Sequence, residues 1–156
     1  WGWAQNEEQL VYPPEELLAR YITSVGRNSN LLIGMCISQR GHFEDSWQFE
    51  RFGELVADIY KSPAAATRGS GDEFILRFEH SEPIRYIVLK EDIHYGERVR
   101  EFTVEIDDGG GFKPCFDAHC IGHKRIIELG ANIKAAKLKI SKAVDTPIIK
   151  EFTCYR

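Results

Sequence analysis

The stretch Glu73–Leu89, EFILRFEHSEPIRYIVL, decides the fold. Its first seven residues alternate, with Phe74, Leu76 and Phe78 on one side and Ile75 and Arg77 on the other. A period of two belongs to a strand with one covered face. After Pro83 the pattern thickens into Ile84-Arg-Tyr-Ile-Val-Leu89, a richer strand. The same period continues downstream, where Phe102, Val104 and Ile106 alternate with Glu101, Thr103 and Glu105. Asp107-Asp108-Gly109-Gly110-Gly111 reads as a turn, and Phe112–Phe116 resumes the strand pattern. Lys124–Leu129, Ala135–Ile140 and Ile148–Tyr155 complete about seven short strands, the signature of an antiparallel β-sandwich.

Upstream the period changes. Pro13-Pro14 opens a helix, and Leu17, Leu18, Tyr21, Ile22 and Val25 share one face of it, with Gly26 ending it. In SVGRNSNLLIGM, Ser24–Met35, a turn delivers the chain into an apolar run, and Asn30–Ile37 reads as a strand buried on both faces. Asp45-Ser46 is a capping pair for a second helix carrying Phe49, Phe52, Leu55, Val56 and Ile59. Residues 1–61 thus read as strand, helix, strand, helix, residues 62–72 as a small-residue linker, and residues 73–156 as the sandwich. A buried parallel-type strand needs neighbours on both sides, and here at most a short strand around Trp1–Ala4 is available. The opening on Trp1, without initiator methionine or basic leader, suggests a processed chain or a fragment.

Composition excludes more than it assigns. The 156 residues are 43% apolar, which fits a globular chain, and the net charge of −4 gives no reason to expect nucleic acid. No apolar stretch is long enough to span a bilayer. Lys134, Lys137, Lys139 and Lys142 make a basic stretch, but Lys137 and Lys139 alternate with Leu138 and Ile140 as a strand's outer face, and no aromatics are interleaved for base stacking. Cys36, Cys115, Cys120 and Cys154 predict mostly free, buried thiols, with a Cys115–Cys120 pairing left open. Cys115, His119, Cys120 and His123 match no common zinc spacing, so no metal is expected. Adjacent carboxylates diverge too far to act as one acid/base pair. Glu7-Glu8, Glu15-Glu16, Glu91-Asp92 and Asp107-Asp108 are therefore expected as solvated surface. Trp1 and Trp3 flank Gly2 at the expected end of a strand, where aromatic faces suit a sugar. The residues contain no phosphate loop, serine triad or nucleophile elbow.

The order of several phrases is more specific than any one of them. WGWA, PEELLARYITSVGRNSNLLIGM and FERFGELVADIY resemble the end of the catalytic barrel of glycoside hydrolase family 29, the α-L-fucosidases. IRYIVLKEDIHYGERVREFTVEI, CIGHKRIIEL and DTPIIKEFTCY resemble the β-sandwich that follows that barrel in bacterial members. The resemblance implies a mainly β fold: an antiparallel, discoidin-like β-sandwich preceded by the last two β/α units of a (β/α)8 barrel. It also implies retaining hydrolysis of terminal α-L-fucose by two carboxylates in the complete enzyme. No residue here matches those carboxylates or the fucose-holding histidines, and only Trp1 and Trp3 fall where members place aromatics near the sugar. Gly34 and Cys36-Ile37 depart from the family pattern. No cofactor is implied. The implied partners are a fucosylated glycan and a missing N-terminal barrel, and the implied location is the periplasm or the exterior of a bacterium. The other reading is a non-catalytic carbohydrate-binding sandwich, for which Tyr95, Phe112 and Phe116 are the candidate contacts and binding is expected to be weak or absent.

Overall fold

The computed structural model describes residues 12–38, 40–43 and 46–156. The element order is helix α1 (Pro14–Ser24), helix α2 (Ser46–Ile59), then strands β1 (Pro63–Ser70), β2 (Glu73–Glu91), β3 (Val99–Asp107), β4 (Phe112–Ala118), β5 (Arg125–Ala143) and β6 (Ile148–Tyr155), with a short 3-10 turn at Ile93–Tyr95. No helix among the described residues is long and apolar enough to cross a membrane.

The strands form one antiparallel ladder in the order β1-β6-β2-β5-β3-β4. β2 and β5 are each 19 residues long and pair from Glu73↔Lys139 to Leu89↔Arg125. Register shifts between Arg77 and Glu82 and between Ile84 and Tyr86 break this ribbon into two halves. Such irregularities bend a strand and increase its twist. Past them, β2 takes β6 as its other neighbour, from Tyr86↔Tyr155 to Glu91↔Ile149. The far half of β5 takes β3 instead, from Val99↔Ala143 to Asp107↔Ala135. The sheet therefore doubles into two leaves, β1-β6-β2-β5 and β2-β5-β3-β4, joined through the same two strands. Between them lies one core, in which Ile87, Leu89 and Phe152 of the first leaf meet Leu76, Phe102, Val104 and Leu138 of the second.

The helices cover the outer face of the first leaf. Ile22 of α1 and Ile59 of α2 pack with Tyr86, Val88, Ile126 and Tyr155. This explains why Tyr86-Ile-Val-Leu89 is buried at every position: Tyr86 and Val88 face the helices while Ile87 and Leu89 face the second leaf. Fully burying each such side chain contributes roughly 1.5–3 kcal/mol.

Three expectations are corrected. Residues 30–37 form no strand; the run is irregular, with Leu32 96% exposed and Met35 and Ile37 also exposed. An apolar run becomes a strand only when a neighbour takes its backbone hydrogen bonds, and no described residue does so. The expected linker, by contrast, contains β1, which pairs with β6 from Pro63↔Tyr155 to Ser70↔Ile148. Its small Ala64 and Ala65 pack against the core, so a composition depleted in strand formers is imposed by tertiary pairing. Finally, two of the seven expected short strands merge into β2 and two into β5, because the breaks at Ser81-Glu82 and Gly130 are bends within continuous ladders. Helix α2 begins at Ser46; Asp45 of the expected capping pair lies outside the described residues.

Candidate functional site

The turn ending α1 is built onto the sandwich. Gly26 follows Val25, the C-cap of α1, and its need for a bare Cα is steric: a Cβ there would lie 2.3 Å from the Ile22 carbonyl oxygen and 2.9 Å from Ile126 Cβ. The Gly26 carbonyl accepts from Ile126 N at 2.9 Å, while Asn28 N donates to the Lys124 carbonyl at 3.0 Å. Asn28 adopts a left-handed conformation (φ 63°), which asparagine tolerates better than most residues. Its Oδ1 accepts from His123 N at 2.7 Å, and its Nδ2 donates to Glu97 at 2.7 Å. Beside it, Lys124 Nζ donates to Tyr21 Oη at 3.2 Å, and the Tyr21 and Tyr60 hydroxyls are 3.0 Å apart. Burial and the Tyr21 hydroxyl push the Tyr60 phenol well above its ordinary range. The chain thus enters the exposed apolar run of residues 31–37 from a fixed anchor. Trp47 on α2 is exposed as well, and with Pro13, Pro14 and Arg51 it lines an open hollow of about 620 Å³.

A second, smaller hollow of about 260 Å³ opens on the sandwich, lined by Lys90, Glu91, Asp92, Ile93, His94, His123 and Lys150. Its base is Glu91, only 2% exposed. The carboxylate accepts from the backbone N–H groups of Arg98 and Val99 through one oxygen and faces Gly122 N at 3.4 Å through the other. Glu91 N donates to the Gly122 carbonyl at 2.9 Å and Asp92 N to the Ile148 carbonyl at 2.8 Å. Three segments are thereby clamped round one buried carboxylate, which tolerates burial because both of its oxygens face backbone N–H groups. Lys90 is paired with Glu151, whose other contact is the Tyr155 hydroxyl at 3.1 Å. Asp92 caps the 3-10 turn, accepting from His94 N at 3.1 Å. The His94 ring stands edge-on to Tyr95, 4.9 Å between centroids.

Trp1 and Trp3, the expected substrate contacts, lie outside the described residues. Of the thiols, all four are free and only Cys154 is buried; Cys115 is exposed on β4, donating to the Val104 carbonyl at 3.3 Å. Partial burial raises the Cys115 thiol to about 11. Cys120 sits against Arg125, and among the described residues no three His, Cys, Asp or Glu side chains converge as a metal site. Glu15 and Glu16 are exposed in the first turn of α1, with Glu16 bonded to Arg20. Glu91 corrects the expectation of solvated acidic pairs, because the bulge at the end of β2 turns it inward onto three N–H groups. Asp107 caps the β3–β4 turn, and the N–H groups of Gly109 and Gly111 hold its carboxyl below the usual range. Lys137 pairs with Glu105 and lies over Phe112, and Phe116 packs against Phe102. Of the three aromatics named for sugar contact, only Tyr95 is left well exposed, at 69%. The hollow and its Asn28 brace escaped sequence reading, although Asp92 two residues before His94 and followed by Gly96 is a turn signal that marks its rim.

No protein-family model matches the sequence. A curated relative, alpha-L-fucosidase 1 of Arabidopsis thaliana, is 22% identical over 99% of this chain and 38% of its own length. A crystal structure from Bacteroides thetaiotaomicron, named provisionally as an α-L-fucosidase, superposes on the whole chain with a TM-score of 0.94 at 27% identity, over 37% of its own length. A Ruminococcus gnavus GH29 fucosidase, solved in complex with fucose, superposes with a TM-score of 0.82 at 19% identity, over 39% of its length. The chain spans less than half the length of each of these proteins. Along its full length it is similar to the C-terminal portion of the α-L-fucosidases of glycoside hydrolase family 29.

Proposed function

We propose that this chain is the C-terminal part of an α-L-fucosidase-like glycoside hydrolase, in which it braces a catalytic barrel and does not hydrolyse fucosides by itself. The carrying observation is the run of residues 31–37. It is pinned at one end through Gly26 and Asn28 yet leaves Leu32, Met35 and Ile37 exposed, as a strand awaiting a partner would be. A catalytic barrel whose strands flank this run would bury those side chains and take its hydrogen bonds. In that reading the sandwich fixes the run's position through α1, α2 and the Asn28 turn. The catalytic carboxylates, held about 5–5.5 Å apart for retaining chemistry, then come from the barrel, and Trp1 and Trp3 line the fucose pocket.

The test is hydrolysis of an aryl α-L-fucoside by the pure chain, alone and after mixing with a separately expressed catalytic barrel of a relative. No turnover alone and recovery on mixing are expected. Measurable turnover by the chain alone would overturn the reading.

A further inference from the structure

We infer that the hollow formed by Asp92, Ile93, His94, His123 and Lys150 is a binding site for one neutral pyranose ring. This goes beyond the bracing role, because it lies on the sandwich and needs no catalytic group. Of the charged groups around the hollow, two are already committed. Lys90 is paired with Glu151, and the Glu91 carboxylate is engaged by backbone N–H groups. What remains is one carboxylate, Asp92, with one ammonium, Lys150, and two imidazoles, His94 and His123. The Asp92 carboxylate uses only Oδ1 within its own turn, and among the described residues the Lys150 ammonium and both imidazoles have no hydrogen-bond partner. An acceptor beside several donors suits vicinal hydroxyls, each of which donates once and accepts at the same time. It does not suit an anion, which would meet Asp92. Ile93, 41% exposed, offers an apolar surface for the ring's C–H face. At about 260 Å³ the hollow is smaller than the roughly 300–1,000 Å³ of drug-sized pockets, which limits it to about one ring.

The walls are held in advance, which lowers the ordering cost of binding. Asn28 fixes His123 through its backbone N–H, Asp92 fixes His94, and Glu91 clamps the base. The turn that leads from α1 into the exposed run therefore also sets one wall of the hollow.

The experiment is a titration of the full 156-residue chain with fucose, galactose, glucose and N-acetylgalactosamine, followed by amide chemical shifts, with sodium sulfate as a separate arm. Saturable shifts at His94, His123 and Lys150 are expected for at least one sugar, with Kd on the order of 1 mM for so few contacts. Lys150→Ala and His123→Ala, both at exposed positions, should each weaken binding about tenfold by removing one charged or polar partner. Lys139→Ala, on the second leaf, should bind like the unaltered chain. The inference is overturned if no sugar gives saturable shifts, if the shifts map elsewhere, if both variants bind unchanged, or if sulfate binds and the sugars do not.

Discussion

Glu91→Ala tests whether the buried carboxylate holds the sandwich end together. The substitution removes both acceptor oxygens, leaving the N–H groups of Arg98, Val99 and Gly122 without their partner. A buried donor left unsatisfied costs about 1–3 kcal/mol, and bonds to a charged acceptor lie at the upper end. Water entering from the adjoining hollow would recover part of this, so a loss of about 3–5 kcal/mol is expected. Glu91→Gln keeps an oxygen for Arg98 and Val99 but turns an amide donor toward Gly122 N, so it should lose about 1–3 kcal/mol. In urea, with a slope near 2 kcal/mol per molar, the alanine variant's midpoint should fall by about 2 M and the glutamine variant's by about half that. A difference below about 0.5 kcal/mol for both variants, the range of an ordinary surface change, would refute the idea that this charge organises the strand end.

Gly122→Ala should destabilise by about 2–3 kcal/mol, because the position is left-handed (φ 62°) and a Cβ would lie 2.2 Å from Asn28 Cγ. Hydrogen exchange at the His123 amide should accelerate as Asn28 is displaced, and unchanged protection would contradict the proposed brace. Leu32→Glu should leave the melting of this chain unmoved, within about 0.5 kcal/mol, since Leu32 is 96% exposed. In a complex with a catalytic barrel the same change should abolish assembly, and intact assembly would remove the chief support for the bracing role. Alkaline pH should unfold the chain progressively. Burial raises the Cys154 thiol from 9.0 to about 12, and burial with Glu151 nearby raises the Tyr155 phenol from 10.0 to about 12. The unfolded chain releases these protons first, so stability is full below about pH 9 and declines toward pH 12. A flat denaturation midpoint across that window would show that neither group is protected.

The periodicity of apolar residues revealed β3, whose inward residues Phe102 and Val104 are buried, together with β4 and with β6, although Phe152–Tyr155 of β6 is buried on both faces. It also revealed both helices, whose inward faces carry the residues that meet Tyr86, Val88 and Ile126. It divided β2 and β5 because bulges interrupt the period while the backbone ladder continues, and side-chain pattern carries no record of the ladder. The small-residue run of β1 reads as a linker for a similar reason: its place is decided by β6, more than seventy residues later. The hollow was illegible because its walls come from three separated segments, and Glu91 looks like any surface acid until the loop at Gly122 closes over it. Trp1 and Trp3 stand on their place at an expected strand end and on the family resemblance, and the geometry of the described residues does not bear on them.

The sheet order has a consequence for how the chain must assemble. β6 is last among the strands in sequence yet stands between β1 and β2, so β1 has no ladder until the final strand arrives. Residues 148–155 are therefore a late keystone: until they are inserted, the edge of β2 and the whole of β1 present bare backbone groups. Folding should accordingly be slow, in the range of milliseconds to seconds typical of non-local β topologies. Loss of a few terminal residues should then have effects far larger than their number suggests, detaching β1 and with it the path back to both helices.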